Sequence, residues 1–158
     1  MIKLIFIRHG ATAGNLEKRY IGSTDEPLCD IGIVQVKALR KEHLRADFLY
    51  VSPMLRTRQT AELLFPEMFH TIVEDFRETN FGLFEGKTAG ELSDCSEYQA
   101  WVESMCLAPI PEGESVVEFK SRCCAAFETI IKSLPDNSCA AFVVHGGVIM
   151  SILEAYAH

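Results

Sequence analysis

"KLIFIRHGATAGN", residues 3–15, opens as a short apolar run, "KLIFI" (3–7), and breaks off at Arg8-His9-Gly10. An apolar run of this length without alternation is the pattern of a central strand covered on both faces. Strands of that kind belong to parallel sheets with helices on either side. An arginine and a histidine where such a strand opens into a glycine turn have two readings. One is a solvated strand end; the other is a reactive imidazole beside a fixed positive charge.

The rest of the chain repeats the theme. "DIGIVQVKALRKEHL" (30–44) carries helical periodicity through Ile33, Val36, Leu39 and Leu44, with Asp30 placed to cap it. "DFLYV" (47–51) reads as a second strand. Ser52-Pro53 then offers an N-cap and a first-turn proline to the helix "MLRTRQTAELLF". "TIV" (71–73) is a brief third strand, and residues 74–90, with Gly82, Gly86 and Gly90, read as an irregular loop. Helices are predicted over about 96–106 and 115–134, the second opened by a Ser115/Glu118 capping box. "CAAFVV" (139–144) is another buried strand, again ending in a histidine and glycines, "HGG" (145–147), before the helix "VIMSILEAYA". Strands alternating with helices predict a three-layer α/β/α sandwich around a mostly parallel sheet.

Composition narrows the class. At 158 residues the chain is expected to be a single domain, 1–158, large enough to bury a core without a metal or disulfide staple. Fifteen basic against 22 acidic residues leave a net charge of −7, which opposes nucleic acid and anionic membrane as partners. A phosphate binder of this charge needs a local basic pocket. The start lacks the pattern of a signal peptide, and no apolar stretch approaches the ~20 residues that span a bilayer, so a cytoplasmic protein is expected. Six scattered cysteines without a C-x-x-C pair are expected to be reduced and packed, and no metal site or cofactor is indicated. Periodicity does not separate a dimer face from a core face, which leaves a homodimer open.

In open α/β sheets the ligand crevice lies outside the carboxyl ends of the strands. Arg8 and His9 follow the first strand, Ser52 and Arg56 the second, Glu78 the third and His145 the last. Singly, each has a bland reading as a polar terminator, a cap or a solvated charge. His43 and His70 have no strand end or glycine turn beside them and receive no role.

Taken in order, these segments resemble the histidine phosphatase superfamily, the phosphoglycerate-mutase-like clan. The resemblance is carried by "RHGAT" (8–12) with Asn15, "GSTDEPL" (22–28), "SPMLRTRQTA" (52–61), "RETNFG" (77–82) and "HGG" (145–147), and runs from residue 3 to about 153. It implies His9 as nucleophile, Glu78 as proton donor, and Arg8, Asn15, Arg56 and His145 as ligands of the phosphoryl group. It also implies a substrate loop with Thr12, Gly22, Ser23, Thr24 and Gly146 nearby. Phosphoryl transfer suits this set: a neutral imidazole attacks phosphorus, planar guanidinium forks hold the oxygens, and a carboxylic acid protonates the leaving group. Arg8 and Arg56 are expected to disfavour the imidazolium form of His9.

The superfamily includes phosphatases and mutases. The chain has little room for the segments with which mutases enclose a bisphosphorylated intermediate, and "NFGLFEGKTAGEL" (80–92) and residues 97–122 resemble small bacterial phosphatases, alpha-ribazole phosphatases especially. The resemblance therefore implies a metal-independent phosphomonoesterase acting on a small phosphorylated metabolite, with alpha-ribazole 5'-phosphate the leading named substrate. Phosphoglycerate mutase-type transfer and a catalytically weak phospho-ligand binding domain are the alternatives. Ala11 departs from the glutamate many members carry there. The chain ends eleven residues after Gly147, where relatives continue into a returning strand, so the domain is expected to lack the usual C-terminal strand.

Overall fold

The computed structural model describes residues 1–40 and 44–156. Four strands, β1 (Lys3–Arg8), β2 (Phe48–Val51), β3 (Thr71–Ile72) and β4 (Cys139–Val144), form one parallel sheet in the order β1-β4-β2-β3. Six α-helices lie among the described residues: α1 (Ala13–Leu16), α2 (Asp30–Leu39), α3 (Leu55–Leu64), α4 (Ser96–Glu103), α5 (Val116–Ser133) and α6 (Gly146–Tyr156).

β4 shows why this sequence makes a sheet covered on both faces. Ala141 and Val143 face α2 and α3, packing with Val36, Val51 and Ala61. The alternate residues Ala140, Phe142 and Val144 face α5 and α6, packing with Phe119, Phe127 and Val148. With one residue in two buried on each side, polar alternation has no place, and the strand reads as continuously apolar. Phe142 also stacks between Phe6 of β1 and Tyr50 of β2, at 5.2 and 5.3 Å between ring centroids. Such pairs contribute roughly 0.5–1.5 kcal/mol each beyond burial. They tie together the three strands whose ends carry the basic and imidazole residues. A separate aromatic cluster of Phe84, Trp101, Tyr20 and Tyr98 consolidates the 80–110 segment beside the sheet.

The expected sandwich is the one observed, with every described strand pair parallel. Several local expectations are corrected. Cys29, not Asp30, is the N-cap of α2, and Asp30 is its first helical residue. Residues 41–43 of the predicted 30–44 helix, His43 among them, lie outside the described residues, as does residue 157 of the final helix. Met54, not Ser52, precedes α3 as its N-cap. Ser52 lies two residues before that cap, and its hydroxyl meets His145 Nε2 and the Met54 N–H. α4 ends at Glu103 rather than 106, since Met105 and Cys106 turn to positive φ. The 74–90 loop contains two short 3-10 turns, Glu74–Phe76 and Gly82–Phe84. α1 is a four-residue turn of helix within the glycine-bearing loop after β1. The Ser115/Glu118 capping box forms as expected and the six cysteines are free. Among the described residues, no helix is long and apolar enough to cross a membrane.

Candidate active site

The sheet order brings three strand ends together. β4 lies between β1 and β2, so the residues just past each strand become neighbours. The His9 N–H donates to the Val144 carbonyl at 3.1 Å, and the Ser52 N–H to that of Val143 at 3.1 Å. The His9 and His145 rings meet edge to face, 5.1 Å between centroids.

His9 is 9% exposed. Its Nδ1 lies 2.7 Å from the Gly10 carbonyl oxygen, which can only accept, so Nδ1 carries the proton. The neutral ring then presents its lone pair at Nε2. Burial pushes the imidazole down to about 4; the Gly10 bond opposes this, while Arg56 and Arg8 reinforce it. The two arginines act in the expected direction, yet dehydration outweighs them. Acid stability follows. Unfolded histidine takes its proton near pH ~6.5, whereas folded His9 resists until about 4. The stability tied to its neutral form is therefore present above pH ~6.5 and is lost as pH falls toward 4, about 3 kcal/mol in all. Urea unfolding at pH 7 and pH 4 should show wild type losing more than His9→Ala by about that amount. Equal losses would contradict it.

His145 is fully buried, and its Nε2 lies 2.7 Å from Ser52 Oγ. Burial, followed by Arg56 and His9, holds its pKa well below the usual value. Arg56 is also fully buried. Its Nη1 and Nη2 donate to the carbonyls of Thr24 (2.9 Å) and Gly22 (3.0 Å). Among the described residues, three buried side-chain nitrogens lack a partner: Arg56 Nε, His145 Nδ1 and Trp101 Nε1. Buried polar groups are rarely left so, and two of the three belong to neighbours of His9.

The other predicted residues divide between exposed and supporting places. Arg8 is exposed at the end of β1 and makes no ion pair or side-chain hydrogen bond among the described residues. Thr12 is buried and caps α1, its Oγ1 accepting from the Asn15 N–H while Asn15 Oδ1 accepts from the Thr12 N–H. Among the described residues, that leaves Asn15 Nδ2 uncommitted. Gly22 and Thr24 serve Arg56 through their carbonyls, and Ser23 is exposed between them. A side chain at Gly22 would strike the Thr79 carbonyl, since a Cβ would sit 1.6 Å from its oxygen. Gly146 opens α6 beside the Arg8 guanidinium.

Glu78 joins the group through α6: its Oε2 accepts from the Gly147 N–H at 3.1 Å, and its Oε1 from the Thr79 N–H at 3.0 Å. Only glycine permits this approach, because a Cβ on residue 147 would lie 2.3 Å from Glu78 Oε1. Glu78 also lines a cleft of about 660 Å³ with Ser23, Met54, Arg77, Asn80 and Arg122.

One supporting residue has no distinguishing mark in the sequence. Glu85 accepts from the N–H groups of Gly22 (2.7 Å), Thr24 (2.9 Å) and Phe81 (3.1 Å). It pins the loop whose carbonyls orient Arg56, yet read linearly it is one acid among Glu74, Asp75 and Glu78.

Known proteins resemble this chain in both sequence and fold. The model of the histidine phosphatase superfamily (branch 1) matches residues 4–158. A Yersinia pestis (strain Pestoides F) protein named "Probable phosphoglycerate mutase GpmB" is 34% identical over 162 residues, covering 98% of this chain and 74% of that protein. The alpha-ribazole phosphatase of Shigella flexneri superposes with a TM-score of 0.87 at 26% identity, over 98% of this chain and 79% of that one. A phosphoserine phosphatase of Entamoeba histolytica, solved with 3-phosphoglyceric acid, gives 0.84 at 28% identity, over 97% and 79%.

Proposed function

Because the chain belongs to the histidine phosphatase superfamily, we propose that it hydrolyses a small phosphomonoester through a phosphohistidine at His9. The observation that carries this reading is the pairing of His9 with unpartnered buried nitrogens. Its Nδ1–H is held by the Gly10 carbonyl, freeing the Nε2 lone pair, while Arg56 Nε and His145 Nδ1 lack partners among the described residues.

Nε2 attacks phosphorus, the ester P–O bond breaks, and Glu78 gives its proton to the leaving oxygen. Water then attacks the phosphohistidine, losing a proton to Glu78; the P–N bond breaks and inorganic phosphate departs. Arg8, Arg56, Asn15 and His145 hold the phosphoryl oxygens, supplying fixed charge and donors where negative charge gathers. The basic cluster is local, as a protein of net charge −7 requires.

The phosphatase reading is supported by the fold likeness to two phosphatases. Alpha-ribazole 5'-phosphate is the leading named substrate, from the likeness of residues 80–92 and 97–122 and of the fold. A mutase reading is favoured by the 34% identical relative. A panel of phosphomonoesters, including 3-phosphoglycerate, separates them. Release of inorganic phosphate, undiminished by chelator, is expected. Movement of phosphate between the hydroxyls of phosphoglycerate without net release would favour the mutase, and loss of hydrolysis with chelator would overturn the mechanism.

A further inference from the structure

We propose that Arg122 and Glu114 form a positioning device for Glu78, an inference that rests on the reading of Glu78 as the proton donor. Glu78 lies beyond the end of β3, where no sheet ladder holds the backbone. The segment around it is held instead from α5. Arg122 Nη1 donates to the carbonyls of Asp75 (2.5 Å) and Arg77 (2.8 Å), and Nη2 to that of Glu78 itself (3.2 Å). The remaining donors grip Glu114 in a two-pronged pair, Nε to Oε1 at 2.6 Å and Nη2 to Oε2 at 2.8 Å. All five guanidinium N–H groups are thereby used.

Glu114 closes the bracket from the other side. Its backbone N–H donates to the Asn80 carbonyl at 2.9 Å. The two side chains are only 21% and 16% exposed, and the Arg122 guanidinium lies 4.8 Å from the Phe119 ring centroid. This differs from an exposed ion pair, whose contribution is small. Phe119, Cys123 and Phe127 anchor α5 in the core, so the bracket ties the Glu78 backbone to rigid structure. The carboxylate tip is set separately by the Gly147 N–H. Two helices thus fix one carboxyl group, α5 through its backbone and α6 through its oxygen. The geometry points to a residue acting through Glu78 rather than on the substrate, since no donor of Arg122 is left for a ligand.

Leaving-group dependence tests this. A phosphate ester of a weakly acidic alcohol needs a proton at the departing oxygen; 2,4-dinitrophenyl phosphate does not. For each variant, kcat/KM is measured on β-glycerophosphate and on dinitrophenyl phosphate, and their ratio is compared with wild type. The ratio within one preparation is independent of the fraction folded. Glu78→Gln should lose roughly 10²-fold on the alkyl ester and little on the aryl ester. Arg122→Met should show the same selectivity at about tenfold or more, because displacing a catalytic group by about 1 Å costs up to ~10²-fold. Glu114→Gln should move the ratio the same way, and Arg122→Lys should restore part of it. If Arg122→Met does not fold, Glu114→Gln and Arg122→Lys carry the comparison. Equal loss on both esters in the Arg122 and Glu114 variants, with Glu78→Gln still selective, would make the pair a structural staple and overturn the proposal. An unselective Glu78→Gln would overturn the reading of Glu78, and the proposal with it.

Discussion

His9→Ala is expected to lower kcat/KM for phosphomonoester hydrolysis by about 10⁴-fold or more, the scale seen when a covalent nucleophile is removed. Among the described residues, His145 is the imidazole that meets the His9 ring. The His145 ring engages Ser52 through Nε2, and Cys123, the buried cysteine, has its thiol pushed up to about 12 by burial. Rapid quenching of wild type with a labelled substrate should trap an acid-labile, alkali-stable phosphoryl group; His9→Ala should trap none. Folding is not the cause of such a loss. The ring is held by one bond to Gly10 and by contact with His145, so the thermal transition should persist at neutral pH. Hydrolysis within tenfold of wild type, or a trapped phosphoryl group in His9→Ala, would move the nucleophile elsewhere.

What the sequence disclosed about this site was local. The apolar run of "CAAFVV" marks a strand because each of its residues after Cys139 is buried on one face or the other. Ser115 and Glu118 lie three residues apart and cap each other. His9 and His145 each follow such a run, and the ordered set of motifs, rather than either strand end, points to their role. The missed features share a different character. Ser52 makes a hydroxyl–imidazole bond to a residue 93 positions away. Glu85 bonds backbone N–H groups of a loop 63 and 61 positions before it. Arg122 reaches the carbonyls of a segment 44 to 47 positions back. A side chain that serves distant backbone leaves no periodicity and no spacing at either end. Backbone groups are the same at every position, so no residue type at the receiving end betrays the contact. Those bonds hold the loops of the site, whereas the strands need only their own apolar pattern.

Arg56→Met should cost about 10³-fold in kcat/KM, within the range for removing a buried donor or an arginine that faces transferring phosphoryl oxygens. Methionine fills comparable length but deletes the charge and every donor. Burial works against the Arg56 charge, while Glu78, Asp25, Glu26 and Glu85 favour it. With methionine in place those acids lose their counter-charge. The Gly22 and Thr24 carbonyls lose their donors, so the loop is left to the bonds of Glu85, Asp25 and Glu26, and some stability should go as well. A second signature separates lost charge from lost structure. Arg56 is among the causes that lower the His9 pKa, so removing it must raise that pKa. Burial, the largest cause, remains, and the rise is therefore partial. The acid limb of kcat/KM due to His9, near pH 4 in wild type, should move upward in Arg56→Met. Arg56→Lys keeps the charge but replaces the fork by a point ammonium, which cannot reproduce the paired bonds to both carbonyls. It should retain the wild-type acid limb and still lose activity. An acid limb that shifts equally in both variants would assign the effect to loop disorder rather than to the Arg56 charge. An unshifted limb in Arg56→Met would mean that dehydration alone keeps His9 neutral.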